Sequence, residues 1–386
     1  MTPTEAPAAP PAPDSAPRPS SVARAALLAY VFLIVYASWF PFSGWRNSGL
    51  SPLAFLNWEI PRYWTAFDVS VNVVGYVPLG VLLVFALWPR IRGPLAVAIA
   101  LASGVLVSGT MEAVQTFLPS RVPSNLDFVT NGLGCALGAL WGAISVRTYL
   151  ERGRLYRLRA RWFAPHASQG LVVVALWPLA QIYPQSYLFG HGQLLPILSE
   201  WLSDWLDTSI DLVALIRRDG ALSPEQYWLS ETIITACGLT GAVLCMLCLM
   251  RRGAPRALLV GGLIGVTLLV KALASALLFT PDNAWVWVTP GAEGGFLIGV
   301  IMLAGLAFAP QVAQRRLAVL TLVLSLLVVN SIPVNPYFVN TLQAWVQGKF
   351  LNFNGAAQFL GLMWPFFALW YLLLPAHELN RQQERV

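Results

Sequence analysis

Charge is scarce in this sequence: 11% of its 386 residues are Asp, Glu, Lys or Arg, against a hydrophobic share of 57%. Soluble domains carry roughly 25% charged residues to keep their surfaces in water. A water-soluble globular fold is therefore excluded, and lipid is the implied solvent. Histidine is nearly missing as well, and no two of His166, His191 and His377 stand at a metal-ligand spacing. The four cysteines, Cys135, Cys237, Cys245 and Cys248, fall in or beside apolar runs, where they serve as small packing residues and not as a disulfide framework. There is no Gly-x-Ser-x-Gly elbow and no glycine-rich phosphate loop with its lysine. These gaps remove the common routes to nucleophilic and nucleotide-dependent chemistry, and no metal or cofactor is expected. The net charge of +6 sits in short clusters between apolar runs, with no continuous basic face, so no nucleic-acid partner is expected either.

What is present is a series of apolar runs. A helix needs roughly 20 apolar residues to cross a hydrocarbon core of about 30 Å. Runs of that kind stand at about 25–40, 68–88, 94–117, 126–146, 168–188, 229–250, 256–279, 292–310, 317–332 and 354–374. The reading is an all-α polytopic membrane protein with about ten transmembrane helices. Residues 1–22 hold seven prolines and little apolar beyond alanine, which predicts a disordered tail. A four-span unit at 23–146 follows, then a basic linker at 147–166 with six arginines. A six-span unit at 167–375 and a short tail at 376–386 complete the division. Within the second unit, the stretch 189–228 alternates Glu200, Asp204, Asp207 and Asp211 with Trp201, Trp205 and neighbouring aliphatics, the spacing of an amphipathic helix lying on the membrane.

Orientation follows from lysine and arginine, which are retained in cytoplasmic loops during insertion. Seventeen of the 24 fall on one side of the spans and six on the other, with Lys271 inside a span. This predicts a plasma (inner) membrane protein with both termini cytoplasmic.

Polar side chains inside spans are expensive and ask for a reason. The second run opens with Asp68, Asn72 and Tyr76 at i, i+4 and i+8, one face of a helix near its outer end. The third closes with Ser108, Glu112 and Gln115, and the fourth opens with Asp127 and Asn131 one turn apart. The loop between them adds Arg121 and Asn125. Three stripes at similar depth make a convergent outer-facing pocket, while Gly134, Gly138 and Gly142 form a ridge of small residues that lets helix backbones approach. Pro78 is positioned to disturb the second span just below the pocket.

The combination of Asp68, Asn72, Tyr76 and Pro78-Leu79-Gly80, then Glu112 and Gln115 leading to Arg121, then Asp127, Asn131, Gly134 and Gly138, resembles the VanZ-like family over about residues 24–146. The resemblance implies a four-helix membrane domain, a place in the cell envelope, and an association with glycopeptide (teicoplanin-type) antibiotic resistance. The six-span half lies outside it.

Several readings of the pocket stay open. Asp68, Asn72, Glu112, Gln115, Arg121, Asn125, Asp127 and Asn131 form a ligand site for membrane lipids or lipid-linked cell-wall or polysaccharide precursors, with Arg121 on a phosphate or carboxylate. Alternatively they form a buried network that fixes helix register, with Arg121 paired to Asp127 or Glu112. In an enzyme, Glu112 or Asp127 is the general acid or base acting on a lipid-linked substrate. Transport is the further reading, resting on Lys271, expected to pair with Glu231 or Glu293. His191 is expected in an outer turn.

Overall fold

The computed structural model describes residues 20–57, 64–150, 154–164, 167–216, 222–279, 281–333 and 351–374. Residues 1–19 and 375–386, and with them most of the expected tails, lie outside the described residues. Thirteen α-helices follow in order: α1 Ser21–Trp39, α2 Ala66–Leu87, α3 Gly93–Gln115, α4 Asn125–Tyr149, α5 Arg154–Trp162, α6 Ser168–Ala180, α7 Leu195–Leu206, α8 Leu212–Ile216, α9 Pro224–Leu247, α10 Arg256–Leu278, α11 Pro290–Leu306, α12 Gln311–Ser331 and α13 Leu351–Leu373. Among the described residues the only β pairing is a single bridge between Phe163 and Met250. The chain is an all-α polytopic membrane protein.

All ten expected spans are helical, but eight (α1 to α4, α9, α10, α12 and α13) are long and apolar enough to cross a membrane. The other two are shorter apolar helices. α11, with 17 residues, reaches about 26 Å at 1.5 Å per residue. α6 has 13 residues, spans about 20 Å, and stops at Ala180, eight residues before the expected end. The expected span runs past this stop because Ile182, Tyr183, Tyr187 and Leu188 continue an aromatic and aliphatic pattern, and the chain beyond the stop is as buried as the helix. Tyr187, Leu188 and Phe189 are all buried, although the backbone there is irregular.

Local chemistry explains most boundaries. Ser20 caps α1 through the Ala23 amide, two residues inside the stretch expected to be tail. Thr65 and Asp68 form a reciprocal capping box at the start of α2. Arginine side chains close helix C-termini, where carbonyls lack amide partners and the dipole favours a cation. Arg256 donates to Ala307 at the end of α11, at 2.6 Å, and Arg315 donates to Leu372 and Leu374 at the end of α13. The basic linker holds an amphipathic helix, α5, whose end is tied to that of α9 by Ala164 N–H to Leu249 O and Arg251 N–H to Trp162 O. The expected amphipathic helix in 189–228 is α7, with Trp201 and Trp205 exposed; it ends at Asp207 in a left-handed conformation.

The four amino-terminal helices pack as one unit in which α2 and α4 make the closest approach. A Cβ at Gly134, Gly138 or Gly142 would meet backbone atoms of Val73, Val77 or Val81, and one at Gly80 would meet the Cys135 carbonyl. The small-residue ridge is thus the seam of the unit. α2 runs through Pro78, which cannot donate to the Val74 carbonyl; one turn away, the Tyr30 hydroxyl of α1 bonds the Gly75 carbonyl at 2.7 Å. In the second half α9 is the central, most enclosed helix, with α11 and α12 against it and Gly295 and Gly299 resting on the Thr232 and Ala236 backbone. α1 joins the halves: the rings of Phe32 and Tyr36 meet that of Phe359 of α13 in tilted contacts at 4.9 and 4.7 Å, and Ser21 hydrogen-bonds Ser168 of α6 at 2.6 Å.

Candidate binding site

The polar stripes of α2, α3 and α4 meet at the end of the four-helix unit opposite the arginine-rich one. The loop before α4 turns at Ser124, whose hydroxyl accepts the Asp127 amide at 3.3 Å. The backbone amide of Ser124 is bound by the Glu112 carboxylate of α3 at 2.8 Å. A carboxylate at this position complements the N-terminal dipole of α4, so Glu112, only 3% exposed, has a favourable partner. In the first turn of α4, the Asp127 carboxylate lies near the Asn72 side chain of α2 and the Ser124 hydroxyl. Asp127 and Glu112 lie close enough to repel.

Beneath the carboxylates, the Asn131 amide donates to Ser108 of α3 at 3.0 Å, both groups being buried. The Tyr76 hydroxyl lies beside Ser108 and within the field of Glu112 without forming a complete hydrogen bond. Three buried polar atoms here have no hydrogen-bond partner: Asn131 Oδ1, the Tyr76 hydroxyl and the Trp39 indole N–H. Tyr76 and Trp39 pack in one cluster with Met111, next to Glu112. An orphaned buried polar atom costs about 1–3 kcal/mol. The Tyr76 hydroxyl lies within the field of Glu112, and Asn131 stands one turn from Asp127 on α4.

Of the expected site residues, Asn72, Glu112, Asp127 and Asn131 come together, as above. Asp68 does not join them directly. It is exposed and engaged by Thr65 in the capping box, at 3.0 Å from the backbone amide and 2.7 Å from the hydroxyl, though its charge still reaches Asp127. Gln115 and Arg121 turn toward α1. Gln115 donates to the Ser38 carbonyl at 3.1 Å, while Arg121 donates to Phe40 O at 2.6 and 3.0 Å and to Ala37 O at 3.2 Å. Arg121 thus closes the C-terminus of α1 as Arg256 and Arg315 close theirs, and burial lowers its proton affinity from the ordinary arginine value. Asn125 opens α4 at the rim, half-buried. Among the described residues no three His, Cys, Asp or Glu side chains converge as a metal set.

Four participants, Ser108, Tyr76, Ser124 and Trp39, were not among the expected ligands. Ser108 and Tyr76 share helix faces with Glu112 and Asn72, and that periodicity was enough to place them. Ser124 carries the signature of an N-cap, Ser124-x-x-Asp127 ahead of an apolar run, which predicts both the helix start and the position of Asp127.

Residues 26–145, covering nearly all of α1 to α4, match the model of the family described as VanZ/LLP1. No curated protein and no solved structure matches the chain. The match to the VanZ/LLP1 family is confined to the amino-terminal four-helix unit, and α5 to α13 lie outside it.

Proposed function

We propose that the amino-terminal unit binds the polar head group of an envelope lipid or a lipid-linked cell-wall precursor, between α2, α3 and α4. The observation that carries this reading is the set of three unpartnered buried polar atoms, Asn131 Oδ1, the Tyr76 hydroxyl and the Trp39 indole N–H, beside Glu112 and Asp127. A head group with hydroxyl or amide N–H donors satisfies Asn131 and the carboxylates, and its oxygens accept from Trp39 and Tyr76. Arg121 acts here by holding α1 against the site, and no phosphate contact is assigned to it.

With the arginine-rich end on the cytoplasmic side, the site opens to the outer leaflet of the plasma membrane, where such precursors are displayed. Sequestering a precursor head group is a route to altered glycopeptide sensitivity, the phenotype that the family resemblance implies. Native mass spectrometry of the purified protein tests the reading: wild type retains a specific lipid or lipid-linked adduct, and Asn131→Ala together with Tyr76→Phe removes it. Equal adducts in both proteins refute it.

A second reading rests on the proximity of Glu112 and Asp127, since paired carboxylates suit general acid–base work. It predicts turnover of the retained lipid that stops in Glu112→Gln while binding persists.

A further inference from the structure

The second half contains an arrangement unrelated to the site above. α6 breaks off at Ala180, and residues 181–194 continue as irregular backbone inside the protein, with Gln181, Phe189 and His191 all at most 4% exposed. Counting from its first residue, α6 carries Gln181 about 20 Å into the membrane. From the other side, Lys271 lies seven residues before the end of α10, about 10 Å below that boundary. The two estimates coincide in a core of about 30 Å, and α6 and α10 are in contact. Ile182, next to Gln181, packs against the cluster of Ala274, Leu278 and Phe279 at the end of α10, about one to two turns beyond Lys271.

Irregular backbone at membrane depth needs its polar groups satisfied, and side chains of the fold satisfy several of them. Asn330 of α12 accepts the amides of Leu194 and Leu195 at 2.8 and 3.0 Å and donates to Gly192 O at 2.8 Å. His191 bonds Phe189 O through Nδ1 at 3.0 Å and Gln181 Nε2 through Nε2 at 2.7 Å. The second contact requires His191 Nε2 to accept, so the imidazole is the neutral Nδ1–H form. It therefore supplies no negative charge to the ammonium of Lys271, whose field it feels.

Three groups are left over. Among the described residues Lys271, 3% exposed, makes no hydrogen bond and no ion pair. Glu231, one expected partner, accepts from Thr289 at 2.6 Å against the start of α11, and Glu293 is exposed. The Gln181 Oε1 and the Trp177 indole N–H are fully buried and unpartnered. Trp177 and Gln181 stand at i and i+4 and so share one face at the end of α6. An uncompensated ammonium away from water is among the most costly groups a membrane interior can hold.

We propose that Lys271, Trp177 and Gln181 form a binding site for an anionic group, a carboxylate or phosphate, in the carboxy-terminal half. Lys271 supplies the counter-charge, the Trp177 indole N–H donates to an anion oxygen, and Gln181 Oε1 accepts from an N–H or O–H of the same ligand. The anion belongs to a small solute or to a lipid head group reaching down from the nearer membrane face.

The test is thermal unfolding of the full chain in nanodiscs of neutral phosphatidylcholine, titrated with acetate or inorganic phosphate against chloride at matched ionic strength. The site predicts a saturable rise in the unfolding midpoint in wild type and none in Lys271→Met, which keeps the side-chain volume and removes the charge. Gln181→Glu supplies an internal counter-ion, so it should raise the midpoint without any added anion and remove the response; it keeps the proposal testable if Lys271→Met fails to fold. A rise that occurs only when phosphatidylglycerol replaces phosphatidylcholine, and is lost in Lys271→Met, assigns the anion to a lipid head group. No response in wild type to either anion or to phosphatidylglycerol, with Lys271→Met simply more stable in every buffer, overturns the proposal.

Discussion

Adding one methyl group at Gly138 should unseat the four-helix unit. Its Cβ would collide with the Val77 carbonyl on α2, and backbone cannot rotate aside as a side chain can. Overpacking of this kind costs about 1–3 kcal/mol, and rigid backbone places Gly138 toward the upper part of that range. Alanine returns about 1 kcal/mol in helix propensity, so the fair comparison is with Gly132→Ala on the same helix. There the new methyl would meet Val105 Cγ2 at an ordinary 3.6 Å. The propensity gain cancels between the two variants, leaving Gly138→Ala about 2–3 kcal/mol less stable than Gly132→Ala. At roughly 2–4 °C per kcal/mol, their unfolding midpoints should differ by at least about 4 °C in detergent or nanodiscs. Prising α2 from α4 should also move Asn72 away from Asp127 and lower retention of any bound lipid. Equal midpoints for the two variants would refute the assignment of the glycine ridge as the seam.

Other substitutions separate the roles of the polar residues. Ser124→Ala should lower stability by about 1 kcal/mol in thermal unfolding through loss of the α4 cap, and Asp68→Ala should do the same at α2 by breaking the capping box, without altering lipid retention. Arg121→Met should destabilise the protein by about 1.5–3 kcal/mol, since it leaves the α1 carbonyls without their charged donor; lysine at that position should recover part of the loss. Asp127→Asn keeps the shape of the side chain while removing the charge, so its midpoint should stay near wild type while the lipid adduct weakens in native mass spectrometry. An impermeant thiol reagent applied to intact cells should label Ser51→Cys and spare Arg252→Cys, given the orientation proposed from the arginine-rich end.

Much of the architecture was legible because period and composition act over long windows. The ten apolar runs became helices, and the i, i+4 spacing of Asn72 with Tyr76 and of Asp127 with Asn131 put those residues on facing stripes. What was not legible depended on backbone partners. Arg121 among nearby carboxylates reads as an ion pair, yet its described bonds go to α1 carbonyls, which leave no trace in a sequence. Asp68 fits the face of Asn72, but Thr65 three residues earlier converts it into a cap. α6 was overextended because hydropathy measures burial and not helicity, and residues 181–194 are buried without being helical. His191 was placed in an outer turn for the same reason, since a Gly-His-Gly sequence looks like a surface loop unless the packing of Phe189 and Trp364 around it is known.

The central claim, that the amino-terminal polar cluster receives a head group, is tested most directly from within the cluster. Met111 is buried beside Tyr76 and Trp39 and can be replaced by its near-isosteric photoreactive diazirine analogue. Irradiation in native membranes, followed by mass mapping of the crosslink at Met111, should give an adduct containing an intact head group that is lost in Asp127→Asn. Crosslinks to acyl chains or neighbouring helices alone, unchanged by Asp127→Asn, would contradict the account and leave the cluster as a network that fixes helix register.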